Sequence, residues 1–186
     1  MSFFQKLWRR TSPTVPPDPP LTQPNYFGAG CIFTDGIHIL AGWQPRKRNP
    51  GLTGIGGAKH KDETFLTTAY RETLEELFHL KSVPPQLINY LKVHLRPKKI
   101  IESNGYVSAV FDFEDLNHML KLCKKMGLTS VLYEKFPTDL MALLRKRKFL
   151  DTTEVEILGL LPVVKEFPPK RRIYVRDDLL RDMEKL

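Results

Sequence analysis

The sequence predicts an α+β fold in which a mixed β-sheet lies between helices. Segments with the two-residue period of strands occur among segments with helical period, without the strict alternation that builds a parallel sheet. The chain contains no internal repeat. Its 186 residues and 41% hydrophobic content are sufficient for one packed domain, with or without a tail.

The first 25 residues differ in composition from the remainder. Residues 11–24 contain six of the fifteen prolines and few apolar side chains, which predicts an extended linker. Residues 1–10 combine apolar pairs at i,i+4 spacing with several cations. This pattern is compatible with a frayed terminus that docks on the domain, a short membrane anchor or the start of a transit peptide. We expect a Pro-rich tail over residues 1–25 and a globular domain over residues 26–186.

Charge and cysteine content narrow the class of protein. The net charge of +8 favours a polyanionic partner, such as nucleic acid, a phosphorylated small molecule or an acidic membrane surface. Cys31 and Cys123 lack the spacing of a zinc site or a disulfide framework, so we expect reduced, packed thiols. This favours the cytoplasm, with the mitochondrion or a membrane surface as alternatives if residues 1–10 act as a signal or an anchor.

From Tyr26 onward the chain has the pattern of a globular domain. Asp35-Gly36 is a strong two-residue turn signal, so the segments on either side predict a hairpin. Gly127 is suited to end the helix before it, and Pro137 to begin the helix after it. The predicted strands are 27–34, 37–43, 88–95, 105–113 and 154–164, with a short glycine-rich segment at 52–57, and the predicted helices are 64–80, 115–126, 138–148 and 176–186.

Three glutamates fall on one face of the predicted helix over 64–80. At about 100° per residue, Glu72, Glu75 and Glu76 lie within an arc of about 100°, with apolar side chains opposite. Like charges at these spacings cost roughly a few tenths of a kcal/mol per pair. Arg71 relieves part of this repulsion through Glu75 at i+4. A hard divalent cation would relieve it directly, because Mg²⁺ takes oxygen ligands.

A pair of glycines precedes this helix. Gly56-Gly57 follows a short apolar strand and lies about six residues before the helix. Glycine permits a tight turn and lets a backbone carbonyl or amide approach a ligand. The pattern alone leaves two interpretations open, a metal–phosphate site or a solvated acidic helix face.

The segment from Gly57 to Phe78 resembles the Nudix box. Gly57 is followed after five residues by Glu63 and, after seven more, by Arg71-Glu-Thr-Leu-Glu-Glu76, so all six glycine and charged positions through Glu76 match in register. The resemblance implies a Nudix-like α/β/α sandwich. It also implies a metal-dependent hydrolase that cleaves a pyrophosphate bond in a nucleoside diphosphate linked to another group.

The sequence departs from the box at its end. Phe78 stands where the family has glycine, His79 stands where it has an aliphatic residue, and Thr73 is a weak aliphatic at an earlier position. The family's glycine would supply a left-handed helix cap, so Phe78 leaves the end of the helix undetermined. No charged position of the box is lost.

Position by position, the resemblance implies a metal site. Glu72, Glu75 and Glu76 would hold one or more Mg²⁺ or Mn²⁺ ions, with the backbone carbonyl of Gly56 as a further ligand. Metal ions of this kind bridge a diphosphate and lower the pKa of a water molecule for attack on phosphorus. Glu72 or Glu75 would also help to deprotonate that water.

Residues around the metal site receive supporting roles from the same resemblance. Glu63 and Arg71 would orient the loop and the helix through charge-assisted hydrogen bonds. Nudix enzymes often recruit another acid from outside the box, and Glu154, at the start of a predicted strand, is our first choice. An ordinary surface acid is the alternative for Glu154, and the other candidates are Glu102, Glu114, Asp115 and Glu156.

Basic and aromatic residues are candidates for substrate binding. Arg46, Lys47 and Arg48 are placed to bind substrate phosphates or an RNA backbone, or else to form a solvated basic loop. An aromatic side chain can stack on a base, although core packing is its more common role. The remaining basic clusters are at 98–99, 145–148 and 170–172, and the aromatic candidates are Phe33, Trp43 and Tyr106.

The sequence leaves the substrate open. A small nucleotide and an RNA 5′ cap, removed by mRNA decapping, are both compatible with the resemblance; nucleoside triphosphates, dinucleotide polyphosphates, nucleotide sugars and inositol pyrophosphates belong to the first group. The basic clusters favour RNA, and the lack of a dedicated RNA-binding module favours a small molecule. A non-catalytic RNA-binding or scaffold protein on a Nudix fold is the alternative from another class.

Overall fold

The structure, a computed structural model, describes residues 14–47, 50–164 and 174–186. Over these residues it contains a seven-stranded mixed sheet and five helices, which confirms the predicted α+β class with a sheet between helices. In chain order the elements are β1 (Gly28–Thr34), β2 (His38–Gln44), β3 (Gly51–Thr53), β4 (Ile55–Ala58), α1 (Phe65–Phe78), α2 (Pro85–His94), β5 (Lys99–Ser103), β6 (Tyr106–Asp112), α3 (Phe113–Lys125), α4 (Leu140–Arg145), β7 (Ile157–Pro162) and α5 (Asp177–Glu184).

Strand β1 lies at the centre of the sheet. The strands follow the order β3-β2-β1-β6-β5, in which β1 and β6 are parallel, while β4 also pairs with β1 and β7 with β2. Strands β4 and β2 pair with the same edge of β1. Strand β4 is antiparallel to residues 28–31, and β2 is antiparallel at Thr34. The glycine-rich strand that leads into α1 is therefore held against the middle of the sheet.

Helices cover both faces of the sheet. Helices α1 to α4 cover the larger core, in which Phe33 of β1 and Phe111 of β6 stack at 5.7 Å between ring centroids. The neighbouring side chains of these strands, including Ile32 and Val110, face a smaller core on the other side with Leu179 of α5. This alternation follows from the pleat of a strand, which points successive side chains to opposite faces.

Tight turns connect β1 to β2 and β5 to β6. Strands β1 and β2 meet at Asp35-Gly36 as predicted, and Oδ1 of Asp35 accepts hydrogen bonds from the N–H groups of Ile37 and His38 at 2.9 and 2.6 Å. Strand β5 is absent from the predicted elements. It pairs with β6 across Asn104-Gly105, where φ is 49° and 76°. Asn-Gly is the strongest short-range hairpin signal, so this turn was available in the sequence.

The prediction of a strand over 88–95 is wrong. The segment belongs to helix α2, which begins at Pro85, where the missing N–H of proline breaks no intrahelical hydrogen bond. Leu87, Ile88 and Leu91 are buried on one side of α2 and pack into the larger core. Their helical spacing outweighs the short alternation of apolar and polar residues that predicted a strand.

Several other elements have the predicted type but different ends. Helix α3 begins at Phe113, because Asp112 and Asp115 form a reciprocal capping box, and Gly127 follows it at a φ of 73°. Helix α4 has six residues, fewer than the predicted 138–148. Strand β7 begins at residue 157, so Glu154 lies in the segment before the strand and does not open it.

Part of the predicted tail contacts the domain. Asp18 lies between α1 and α2, where its Oδ1 is 2.6 Å from Nζ of Lys92 and its Oδ2 accepts the N–H of Leu66 at 3.1 Å. Leu66 belongs to the first turn of α1, whose own N-cap, Thr64, forms no side-chain capping bond. Asp18 therefore supplies the negative charge that stabilises a helix N-terminus. The tail boundary itself stays a prediction.

The predictions on compartment and membrane contact concern the described helices and residues 1–10. Among the described residues, no helix is both long and apolar enough to cross a bilayer. Residues 1–10, for which an anchor and a transit peptide are among the predictions, lie outside the described residues. Cys31 and Cys123 are buried and free, as predicted.

We expect Asp18→Asn to lower the free energy of unfolding by about 3–5 kcal/mol, because it leaves the buried Lys92 ammonium with the hydroxyl of Thr64 but without its carboxylate partner. Urea unfolding followed by circular dichroism measures the change, with the exposed acid Asp151 replaced by Asn as control. The double variant Asp18→Asn/Lys92→Met should recover much of the loss. A change below about 0.5 kcal/mol in Asp18→Asn would show that the ion pair is not a structural contact.

Candidate active site

Helix α1 carries the acidic residues of the site. Leu66, Tyr70 and Leu74 are fully buried on the side of α1 that packs against β1 and β4. This apolar side fixes the rotation of the helix. As a result, Glu72 and Glu76 are directed toward β4.

Arg71 lies at the centre of the acidic residues, with a side chain that is 8% exposed. Its Nε and Nη2 donate to Glu63 at 2.8 and 2.9 Å, and its Nη1 donates to Glu72 at 2.6 Å and to Glu75 at 2.9 Å. Nη2 also donates to the carbonyl of Ala58 at 2.8 Å. Burial opposes the charge, but the hydrogen bonds to the carboxylates raise the pKa of Arg71. Arg71 thus relieves the repulsion among three carboxylates, whereas the sequence predicted only its i,i+4 contact with Glu75.

Glu63 ties the loop before α1 to the helix. Besides binding Arg71, its Oε2 accepts the N–H of His60 at 3.1 Å and the hydroxyl of Thr68 at 2.9 Å. Burial acts to raise the pKa of Glu63, but the hydrogen bonds from Arg71, His60 and Thr68 outweigh it and lower the pKa to about 2. These contacts are compatible with the orienting role predicted for Glu63 and Arg71.

Glu76 is the most deeply buried of the three helix glutamates, at 6% exposed. Its Oε1 accepts from Nε2 of Gln44 at 2.9 Å, and its Oε2 accepts from the N–H of Gly56 at 2.8 Å. Burial raises the pKa of Glu76 to about 8 against the Gly56 hydrogen bond, and the nearby carboxylates of Glu154 and Glu72 add to the rise. The structure therefore brings the N–H of Gly56 to the site. The resemblance to the Nudix box implied only the carbonyl of Gly56, as a metal ligand.

Sequence reasoning missed Gln44, which is 4% exposed at the end of β2. Besides its bond to Glu76, its Nε2 lies 3.5 Å from Oε1 of Glu154. A buried amide needs hydrogen-bond partners, and here those partners are two acids of the site. The position of Gln44 at the end of an apolar strand was the available signal.

Gly57 has a steric reason to lack a side chain. A Cβ built on Gly57 would overlap the carboxylate of Glu72. Glycine at this position therefore leaves room for the carboxylate of Glu72 to lie against the strand. Burial raises the pKa of Glu72, although the hydrogen bond and the charge of Arg71 act in the other direction.

Phe78 does not disturb the end of α1. The helix ends at this residue, and His79 adopts the left-handed conformation with φ 52° and ψ 51°. The N–H of Leu80 then bonds to the carbonyl of Glu75 at 3.2 Å. Because His79 provides the left-handed cap, Phe78 is available to the core, where its ring centroid lies 4.6 Å from that of Phe136.

Arg147 reinforces this end of the helix, a role that sequence reasoning missed. Its Nη1 donates to the carbonyl of Leu77 at 2.5 Å, and its Nη2 to the carbonyls of Glu76 at 3.3 Å and Val155 at 2.7 Å. Although Arg147 belongs to the basic cluster at 145–148, these donors are directed at backbone carbonyls. Arg147 therefore connects the end of α1 to the segment that carries Glu154.

Of the acids considered outside the matched segment, Glu154 is the one that reaches the site. It lines the same cleft as Glu72, and its Oε1 lies 2.5 Å from Nζ of Lys47. The other candidates are exposed or bound elsewhere: Glu114 is exposed, Glu102 accepts the N–H groups of Thr22 and Gln23, Asp115 caps α3, and Glu156 pairs with Arg46.

The structure places some of the predicted substrate-binding residues in the cleft and others elsewhere. Lys47 lines the cleft, whereas Arg46 is 2.9 Å from Glu156 and Arg48 lies outside the described residues. Among the aromatic candidates, Tyr106 lines the cleft and Phe33 is buried in the larger core. The cluster at 170–172 also lies outside the described residues.

A cleft of about 450 Å³ extends from the acidic residues onto the α5 face of the sheet. Gly30 of β1 and Gly56 of β4, which line the cleft, are partners in register, and the side chain of Tyr106 lies over their backbone. A Cβ on either glycine would collide with the hydroxyl group of Tyr106. The cleft is lined by Glu72, Glu154 and Lys47 from the acidic side and by residues of β6 and α5.

The donor chemistry of the site fits a hard divalent cation, although the carboxylates are not arranged around one. Over residues 14–47, 50–164 and 174–186, no group of three or more His, Cys, Asp or Glu side chains converges as a metal site. Nη1 of Arg71 bridges Glu72 and Glu75. Burial and two neighbouring carboxylates oppose ionisation of Glu76, and oxygen-rich, negatively charged surroundings of this kind are those that Mg²⁺ prefers.

Comparisons with known proteins identify no family. No protein-family model matches the chain, and no curated protein matches it. Two structures of a bifunctional NMN adenylyltransferase/ADP ribose pyrophosphatase from Francisella tularensis, one complexed with AMP and a Mn ion, align at 20% identity with a TM-score of 0.33. The alignment covers 60% of this chain and 31% of the bifunctional protein, so this chain spans less than a third of the length of that protein.

We expect Gln44→Ala to lower the free energy of unfolding by about 1–3 kcal/mol, because it leaves Oε1 of the buried Glu76 carboxyl without its donor. Gln86→Ala, which truncates an exposed glutamine, is the matched control and should change stability by less than about 0.5 kcal/mol. Urea unfolding measures both variants. Equal stability of the two variants would contradict the role assigned to Gln44.

Acid should weaken the protein partly through Glu63. Because its pKa is lowered from 4.5 to about 2 in the folded state, its stabilising effect is present above the unfolded value and is lost as the pH falls toward 2. We therefore expect Glu63→Gln to flatten the decline in the free energy of unfolding between about pH 4.5 and 2. Exposed Glu134, replaced by Gln, should keep the wild-type slope. A Glu63→Gln slope equal to wild type would exclude this contribution.

Proposed function

We propose that the protein is a Nudix hydrolase that uses Mg²⁺ or Mn²⁺ to cleave a pyrophosphate bond in a nucleoside diphosphate derivative. The observation that carries the proposal is the placement of the matched segment. Gly56, Gly57 and Glu72 line one cleft together with Glu154 and Lys47. The volume of this cleft, about 450 Å³, lies in the range of small-molecule sites.

Glu72, Glu75 and Glu76 are the proposed metal ligands. A bound divalent ion would neutralise charge on the diphosphate and lower the pKa of the attacking water. Gln44 and the N–H of Gly56 hold the carboxyl of Glu76 in place. The contact between Arg71 and Glu72 must loosen when the carboxylates turn to a metal ion, while the bonds from Arg71 to Glu63 can remain.

Glu154 is our choice for the group that accepts a proton from water. Its carboxylate lines the cleft and is held by Lys47 and Gln44, whereas Glu72 and Glu75 are both bound by Arg71. A general base must lie within hydrogen-bond reach of the water that it deprotonates, which a residue of the cleft wall can achieve. Lys47, released from Glu154, would bind a phosphate oxygen.

A small nucleotide is favoured over RNA as the substrate. The donors of Arg147, in the basic cluster at 145–148, are directed at backbone carbonyls, and Arg46 and Lys47 are paired with acids. These pairings leave fewer cations for an RNA backbone than the sequence implies. Hydrolysis of an RNA cap, and RNA binding without catalysis, are the outcomes that the following assay must distinguish.

Product analysis with Mg²⁺ and then Mn²⁺ tests the proposal, with free nucleotides and cap-labelled RNA assayed side by side. We expect turnover of free nucleotides, and a loss of at least about 100-fold in kcat for Glu75→Gln, as when one group that stabilises developing charge is removed. Glu134→Gln, an exposed acid outside the cleft, is the matched control.

Each other outcome has a definite meaning. Release of a capped nucleotide from RNA, with free nucleotides intact, would replace the small-nucleotide proposal with decapping. RNA binding without turnover of any substrate would favour the non-catalytic alternative. If Glu75→Gln hydrolyses nucleotides as fast as wild type, the proposed site is wrong.

A further inference from the structure

The cleft extends away from the acidic residues across three strands. Gly56, Gly30 and Ser108 are neighbours in register on β4, β1 and β6. Adjacent strands lie about 4.8 Å apart, so Ser108 is roughly 10 Å from Gly56 along the sheet. Two of these three residues are glycines, which leaves room for the side chain of Tyr106 to lie over the strands as part of the cleft wall.

Helix α5 forms the wall above Ser108. Leu179 and Met183 of this helix pack into the smaller core, and Asp182 lies on the same side at 8% exposed. The hydroxyl of Ser108 donates to Oδ2 of Asp182 at 2.5 Å, and both residues line the cleft. A carboxyl group at such a buried position is costly unless hydrogen-bond donors reach its oxygens.

Hydrogen-bond acceptors are concentrated at this end of the cleft. Asp178, one turn before Asp182 on α5, also lines the cleft, and the nearby Arg176 is 3.5 Å from its carboxylate. No metal site is proposed at this end to offset the repulsion between carboxylates and phosphates, so the phosphates of a bound nucleotide belong at the opposite end, beside Lys47 and the proposed metal ligands. The base of the nucleotide then reaches Ser108 and Asp182.

An aromatic side chain is available to stack on that base. Phe27 lines the cleft and is 66% exposed, and its ring centroid lies 6.4 Å from that of Tyr106. An exposed aromatic ring at a binding cleft gives a base a face to stack on, independent of base identity. Discrimination between bases must therefore come from the polar residues.

We propose that Ser108 and Asp182 form a subsite that selects nucleobases with an exocyclic amino group, namely adenine, guanine and cytosine. The inference rests on the proposed function, since it takes the occupant of the cleft to be a nucleotide. An ionised carboxylate only accepts hydrogen bonds, and an amino group donates to it. Uracil has a carbonyl oxygen where cytosine has its amino group, and hypoxanthine has only hydrogen where guanine has its amino group, so each loses this hydrogen bond.

The same contacts have a simpler interpretation, in which the bond between Ser108 and Asp182 only docks α5 on the sheet. That interpretation predicts changes in stability for variants of either residue and no preference among bases. The two interpretations differ in the ratio of affinities for paired bases, which is the quantity to measure.

Nucleoside monophosphates are suitable probes because they contain no pyrophosphate bond to cleave. Calorimetric titration of the full chain in metal-free buffer compares CMP with UMP and GMP with IMP. We expect the amino-bearing member of each pair to bind about tenfold more tightly or better, the ratio for one charge-assisted hydrogen bond. Asp182→Asn, which keeps the shape of the side chain, should reduce the ratio to about threefold or less, because a neutral acceptor forms a weaker bond.

Two further variants separate recognition from docking. Ser108→Ala removes the bond to α5 but leaves the carboxylate, so it should keep most of the base preference while losing stability. Asp177→Asn changes an exposed acid of the same helix that does not line the cleft, and it should bind like wild type. Base ratios near one in both the wild type and Ser108→Ala, with stability lost in the variant, would support docking as the only role.

The outcomes distinguish this inference from the proposed function. Equal affinities within both pairs for the wild type, or no detectable binding of any monophosphate, would overturn the inference even if nucleotides are hydrolysed. Base-selective binding without hydrolysis would support the subsite and overturn the catalytic proposal. An unchanged ratio in Asp182→Asn would assign the selectivity to other residues and also overturn the inference.

Discussion

The acidic residues of the site are held in position by the buried guanidinium of Arg71. It binds Glu63 in the loop, Glu72 and Glu75 on α1, and the carbonyl of Ala58 at the end of β4. One side chain thereby fixes a strand end, a loop and a helix face relative to one another. Removing a buried charge from such a network leaves its partners uncompensated, which is strongly destabilising. The acidic face of α1 is therefore compatible with a folded protein because a cation lies beneath it.

The sheet positions this face by means of residues without side chains. Gly57 allows Glu72 to lie against β4, and Gly30 with Gly56 leaves room for the side chain of Tyr106 on the opposite side of the sheet. The same short strand thus accommodates a carboxylate on one face and an aromatic side chain on the other, and both side chains line the cleft. We propose that the phosphates of a nucleotide lie near Glu72 and its base near Asp182.

The sequence predicted the local features well and the long-range contacts poorly. The acidic and apolar faces of α1 follow from helical period alone, and the Asp35-Gly36 turn from its chemistry. Gln44 and Arg147 were missed because they meet Glu76 across 32 and 71 residues of chain, a separation that no local pattern encodes. The error at α2 has another cause: a short apolar run satisfies the periods of both a strand and a helix.

We propose that the acidic face of α1 binds a divalent cation in exchange for part of its contact with Arg71. Electron paramagnetic resonance of free Mn²⁺ during a titration tests this claim without substrate. We expect saturable binding to the wild type, an affinity at least about tenfold lower in Glu72→Gln, and wild-type binding in Glu134→Gln. No saturable binding, or equal affinities of wild type and Glu72→Gln, would contradict it.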